Sequence, residues 1–319
     1  MKTLLPGLLL VPVAALALIA AGAQAPAPVA VPRPFAEGIV STPDDELGGA
    51  LSPDGKVFLY TKSVPRSQMY VICETRRGEK GWGRPRVVSF SGRWRDADPV
   101  FSLDGRRVYF VSDRPVGGVD RKNYDLWYAE RRGDEWGEPV RLDEPINSDA
   151  NEFFASFAAD GTIYFTSRRK GGLGDIDVYR ARWVDGKYTA PENLGPTING
   201  KGWLNIEAFI APDQSFLLVG AFGHTDDADS DVLVSYRDGA GFGPLKLLGP
   251  AVNTSVRDYS PRISPDGKTL FFTSERGLGS EPRTPPWTYH DLQERRLGIL
   301  NGLGNIYSIP LAEALAGTR

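Results

Sequence analysis

Five tight-turn sequences recur along the 319-residue chain: Ser52-Pro53-Asp54-Gly55, Ser102-Leu103-Asp104-Gly105, Ala158-Ala159-Asp160-Gly161, Ala211-Pro212-Asp213-Gln214 and Ser264-Pro265-Asp266-Gly267. Their aspartates stand 50, 56, 53 and 53 residues apart. Each turn is followed at once by an aromatic and β-branched run: Val57–Thr61, Val108–Ser112, Ile163–Ser167, Phe216–Val219 and Leu270–Ser274. An Asp-Gly pair supplies the positive backbone angle that a tight hairpin needs. The runs are nearly continuous in apolar character rather than alternating, as strands buried on both faces must be. A period near fifty that carries strands and turns excludes stacked helix pairs and predicts the blades of a β-propeller.

Two further marks complete a four-stranded unit. A third strand opens at Gln68, Asp125, Asp177, Asp231 and Asn305. The fourth starts with an aromatic and runs to a proline, at Trp82-Gly83-Arg84-Pro85, Trp136-Gly137-Glu138-Pro139, Tyr188-Thr189-Ala190-Pro191 and Phe242-Gly243-Pro244. Proline fits there because the outermost strand needs no ladder hydrogen bond on its far side. Only four such segments follow their units, and Phe35-Ala36-Glu37-Gly38-Ile39-Val40 has the same aromatic-led form ahead of the first. The expectation is an all-β, five-bladed propeller over residues 35–310, closed by residues 35–40 pairing beside 305–309, which removes an open sheet edge.

Outside that body, Met1-Lys2, an apolar run from Leu4 to Ala20 and the small residues after it read as a signal peptide over 1–25, cut after Ala23. An uncleaved anchor is the competing reading, because the run approaches spanning length. Residues 26–34 are a Pro/Ala-rich tether and 311–319 a C-terminal tail. The formal charge of -3 draws the chain neither to nucleic acid nor to an anionic membrane. Cys73 is the only cysteine, so no internal disulfide can form, and a small buried strand residue is its expected role.

Arg169-Lys170-Gly171-Gly172-Leu173-Gly174 followed by Asp177-Val178-Tyr179, and Pro139-Val140-Arg141-Leu142 through Ile146-Asn147-Ser148, resemble the repeats of bacterial exported proteins with WD40-like PD40 units, related to the TolB propeller. The resemblance spans essentially residues 35–310. It implies a propeller that serves as an interaction platform, with function carried by particular sites rather than by the fold.

Eight residues before each turn Asp stand Glu46, Asp96, Glu152, Asn205 and Asp258, with Asp98 and Glu207 two positions further in. In a closed ring these are expected at one mouth of the central channel, as a ligand-binding set. Carboxylates ~8 Å apart repel by about 2 kcal/mol per pair at an effective dielectric near 20, so they need counter-charges. Arg114, Arg169 and Arg276 recur just after the second strand and can supply them. Three readings stand at this point: structural Arg-carboxylate bridges, a bound cation or cationic partner segment, or a glycosidase acid pair. The run Asp226 to Asp231 reads as a solvated acidic turn against a weak calcium-loop pattern that lacks the sixth-position glycine.

In unit five the loop from Arg276 to Asn305 is long and holds Trp287, Tyr289 and His290, aromatic contact residues suited to a partner-binding insert. A poorly ordered excursion is the alternative. No nucleophile elbow, Walker motif or histidine-rich metal set is present. The sequence therefore predicts no catalytic residues, no metal and no cofactor. It predicts a monomeric, periplasmic or secreted platform for an envelope protein or glycan, with no span after signal cleavage. A glycan hydrolase or lyase using the channel carboxylates is the alternative function.

Overall fold

The computed structural model describes residues 30–64, 68–224, 230–277 and 284–319. The signal-peptide segment, residues 26–29 of the tether, and Asp226, Asp227 and Asp229 of the acidic turn lie outside these. Five antiparallel sheets follow one another, each with its first strand innermost. The inner strands are Asp45–Leu51, Asp96–Phe101, Glu152–Phe157, Leu204–Ile210 and Asp258–Ile263. The first packs against both the second and the fifth, which closes the ring. The protein is a five-bladed β-propeller with four-stranded blades. Among the described residues no helix is long and apolar enough to cross a membrane.

The second strands, Val57–Ser63, Arg107–Ser112, Ile163–Ser167, Phe216–Phe222 and Thr269–Ser274, are buried almost throughout. Their continuous apolar character matches burial between neighbouring blades. Third strands begin at Asp125, Asp177, Asp231 and Asn305, as marked in the sequence, but in blade 1 at Tyr70 rather than the marked Gln68. Cys73 is buried in the third strand of blade 1, and burial raises its thiol to about 11.

The fourth strands differ from expectation. Trp82, Trp136 and Phe242 lie in tight hairpins folded back on the end of the third strand. The true edge strand is a two-residue segment after the proline: Arg86–Val87, Val140–Arg141, Glu192–Asn193 and Lys246–Leu247. Proline lacks the N–H that would carry one strand through both segments. For the same reason the ring closes two residues earlier than the aromatic pattern suggests. Arg33 pairs with Ser308 and Pro34 with Tyr307, the register that Val140 and Arg141 hold with Tyr128 and Trp127. Residues 36–40 form a turn, pinned by Phe35 N–H to Ile306 O at 2.7 Å and Ser41 Oγ to Ile306 O at 2.8 Å. Arg33 and Pro34 therefore belong to the sheet and not to a tether.

A side-chain device prolongs three of these short edges. Asn147, Asn199 and Asn253 each accept the N–H of Leu126, Val178 or Val232 at 2.8 Å. Each donates its amide to the same residue's carbonyl. The asparagine thus supplies the donor and acceptor that a missing strand residue would have given, so no buried backbone group is left unpaired.

Candidate functional site

The carboxylates expected at the channel mouth sit in repeated buried clasps. Glu46, Asp96, Glu152, Asn205 and Asp258 are all 0% exposed. In blade 3, Glu152 accepts the N–H and hydroxyl of Ser148 and the Ser167 hydroxyl, and Arg169 closes the group at 3.3 Å. Arg169 also donates to Ile146 O at 2.6 Å and lies 5.0 Å over the rings of Phe165 and Tyr179. Blade 5 repeats this with Asp258, Thr254 and Arg276, whose guanidinium stacks on Phe272 and Tyr307. Blade 2 does so with Asp96, Ser91 and Arg114 over Phe110 and Trp127. In blade 1 the counter-charge is Lys62, 3.2 Å from Glu46 and also paired to Asp44. Burial raises the Asp96 and Glu152 carboxyls and takes Glu46 up to about 7, against the lowering by Thr42 and Lys62.

Blade 4 builds a neutral version. Asn205 donates to Ile198 O and Asn199 Oδ1, and its Oδ1 faces His224 Nε2 at 3.1 Å. Burial lowers the His224 pKa, which favours the neutral ring. His224 stacks on Trp203 at 4.1 Å. The clasps bind the link entering a blade to that blade's second and third strands. We predict that Arg169→Ala lowers unfolding stability by about 2–3 kcal/mol through lost charged hydrogen bonds and ring stacking. Denaturant titration checks this, and an unchanged midpoint would contradict it.

Asp98 and Glu207 belong to a second arrangement, on the axis. Two residues into the inner strands of blades 1, 2, 3 and 5 the backbone takes positive φ, at Gly48 (62°), Asp98 (54°), Phe154 (47°) and Ser260 (51°), where the strand register shifts. Such bulges re-aim side chains, and a non-glycine residue in that region costs about 1–3 kcal/mol that its surroundings must offset. Arg262, which the sequence analysis did not single out, is 1% exposed and crosses the axis from blade 5. It donates to Ala155 O of blade 3 at 3.2 Å and Asp98 O of blade 2 at 3.3 Å, and its guanidinium lies 3.6 Å from the Phe154 ring centre. Glu207 of blade 4 accepts the Ser260 N–H and hydroxyl at 2.8 and 2.9 Å. Gly220 faces Glu207, and any Cβ there would collide with its Oε2.

Burial raises Asp98 to about 6 against the lowering charge of Arg262. Burial and then the Asp98 charge raise Glu207 to about 7. Burial lowers Arg262 to about 10 against the raising charges of both acids. Asp98 Oδ1 and Arg262 Nε are buried without a hydrogen-bond partner among the described residues. A signal for Arg262 existed: four residues before the turn Asp the other units carry Ala50, Val100, Ser156 and Phe209.

The unit-five insert contains a helix, Tyr289–Leu297, started by a capping box in which Thr288 and Asp291 satisfy each other's backbone N–H. Asn301 Nδ2 ties the following segment to Pro43 O of the first link at 2.7 Å. Trp287 is 42% and Tyr289 78% exposed, and His290 points outward beside Glu294 at 3.3 Å. Among the described residues no group of three or more His, Cys, Asp or Glu side chains is arranged to hold a metal ion.

No family model and no curated protein matches the chain. Among solved structures it is similar to TolB from Acinetobacter baumannii, at 20% identity and a TM-score of 0.48, with 73% of this chain and 50% of that chain covered. An α-L-arabinofuranosidase from Lactobacillus brevis matches at 12% identity and 0.47, covering 85% and 91%. A gluconolactonase from Xanthomonas campestris matches at 13% and 0.44, covering 85% and 87%. The chain thus spans half of the TolB structure. These likenesses concern the fold alone.

Proposed function

We propose that this protein is an exported, non-enzymatic platform in the bacterial envelope, whose insert-bearing face holds a protein or glycan partner. The observation that carries this reading is the Tyr289–Leu297 helix, which buries none of its residues. A nine-residue helix is marginal alone in water, and its capping box and the Asn301 tie to Pro43 help to hold it. It nevertheless displays Tyr289, Leu292 and Leu297, with Trp287 just ahead. Exposed aromatic and aliphatic side chains on a rigid scaffold suit partner contact. The clasp carboxylates support the same reading, since internal partners already occupy them. Export rests on the leader-like residues 1–25.

The test is a pull-down from envelope extract with the wild type and a Tyr289→Ala/Leu292→Ala variant. Retention of the partner should fall at least about tenfold, a loss of ~1.4 kcal/mol or more, while the melting temperature holds. Unchanged retention would contradict the proposal.

A hydrolase or lyase acting on glycans is the second reading, favoured by one observation. Asp98 and Glu207 share the axis with raised carboxyl pKa values, the state that a general acid requires. Turnover of a polysaccharide that Glu207→Gln abolishes would establish this reading and displace the first.

A further inference from the structure

The propeller's five seams are not closed alike on the face that carries the Asp-Gly turns. Between blades 1 and 2, Arg76 reaches Asp134 at 2.6 Å, Arg86 pairs with Glu135, and Trp136 Nε1 donates to Glu74 at 3.3 Å. Between blades 3 and 4, Gln214 bridges Tyr164 and Asp160, and Ala159 N–H donates to Pro212 O. The C-terminal helix Leu311–Ala314 and the Tyr236–Thr318 bond cover the seam between blades 4 and 5. Phe35 and Phe58 pack on Phe271 between blades 5 and 1.

The seam between blades 2 and 3 is packed within, where the Tyr109 ring lies 4.3 Å from that of Phe157, but its outer part differs from the others. The third strand of blade 3 stops at Ala181, and Trp183–Val184 and Lys187–Tyr188 form a separate two-stranded hairpin. Among the described residues no hydrogen bond or ion pair joins that hairpin to blade 2. A groove of about 1270 Å³ runs there, and Tyr109, Tyr128, Phe157, Trp183 and Tyr188 are among the residues that line it. Trp183 stacks edge-on against Tyr188 at 4.7 Å and is 50% exposed.

We propose that this groove binds a neutral oligosaccharide. The inference rests on the platform reading and adds a ligand class and a second site, on the face opposite the insert. Its volume is at or above the upper end for small-molecule sites, and it combines aromatic surface with a nearly balanced lining of five basic and four acidic side chains. The polar groups are already oriented: Arg107 makes two hydrogen bonds to Glu130 Oε1 and lies 4.6 Å over Tyr128. Arg141 is held on Asp125, and Arg106 stands 3.8 Å from Asp104. These pairs cancel most of the lining charge, so neither an anion nor a cation is selected. A sugar ring offers what remains: an apolar C–H face for an aromatic plate, and rim hydroxyls that both donate and accept. An apolar protein surface would cover the Arg107–Glu130 pair and leave its remaining donors and acceptors without partners.

Calorimetric titration with cellotetraose, xylotetraose, maltotetraose and chitotetraose tests the proposal. At least one should bind with a Kd of about 1 mM or tighter. Trp183→Ala and Tyr128→Ala should each weaken it at least about tenfold, and Trp183→Phe, which keeps the plate, should retain it. The Tyr289→Ala/Leu292→Ala variant should bind the sugar normally, which separates this site from the insert. Absence of saturation at ~10 mM with all four sugars would overturn the inference, as would binding indifferent to Trp183→Ala. Loss of a protein partner on Trp183→Ala, without sugar binding, would overturn it in favour of a protein interface.

Discussion

Replacing Arg262 by alanine is expected to destabilise the protein by about 3–5 kcal/mol, the range seen when one partner of a buried charge network is removed. The substitution leaves Ala155 O and Asp98 O without their donor, opens a void over Phe154, and strands two acids on the axis. The cost should depend on pH. Asp98 and Glu207 have folded pKa values of about 6 and about 7, above the ordinary carboxyl values of 3.8 and 4.5. The fold therefore binds more protons than the unfolded chain across that window. Their favourable contribution is complete below about pH 4 and is lost as pH rises through 6 to 7. Without Arg262 the acids resist ionisation further, so the variant should lose more stability at pH 8 than at pH 5. Denaturant midpoints at the two pH values check this. A triple variant Arg262→Met, Asp98→Asn, Glu207→Gln should recover much of the loss, because removing a whole buried charge set is far less costly than breaking it. A pH-independent cost would contradict the electrostatic account.

The second large effect is at the closure. Removing residues 30–41 deletes the edge strand Arg33–Pro34, the Phe35 ring between Phe58, Trp82 and Phe271, and Val40, which is 0% exposed. A phenylalanine truncation in a packed core costs about 3–5 kcal/mol, and the bare edge of Asn305–Pro310 adds unpaired backbone groups. The sum is comparable to the whole stability of a typical domain, about 5–15 kcal/mol. The truncated chain should show no cooperative thermal transition and lose its near-UV dichroism. A sharp transition within a few degrees of the wild type would contradict that expectation.

The recurring Asp-Gly turns made the blade number and the inner hairpins legible, because a turn that needs positive φ tolerates few residues and therefore repeats visibly. Asp125, Asp177, Asp231 and Asn305 marked their strands correctly for the same reason: each opens its strand at a fixed place in the unit. The outer edge was misjudged, since Trp82, Trp136 and Phe242 carry strand propensity while the edge proper is two residues long. A segment that short has no pattern of its own.

At the candidate site, the Arg-carboxylate pairing was readable from the matching positions of Arg114, Arg169 and Arg276. Its depth was not, because burial depends on the link that folds over each pair. Arg262 escaped notice because its meaning exists only once five inner strands surround one axis. The groove beside Trp183 was hidden likewise: Tyr188 keeps the aromatic pattern, and only the break after Ala181 sets its hairpin off from the blade 3 sheet.

Closure by Arg33–Pro34 underlies every placement above, and a designed cross-link tests it most directly. In a Cys73→Ser background, Arg33→Cys and Ser308→Cys occupy facing positions of an antiparallel pair. Facing Cα atoms in such a pair lie about 4.5–5.5 Å apart, within reach of a disulfide. Mild oxidation should give near-complete intramolecular cross-linking, seen as faster migration without reductant and a raised melting temperature. Failure to cross-link in the folded protein, or efficient cross-linking of a Val40→Cys/Ser308→Cys pair instead, would contradict the ring described here.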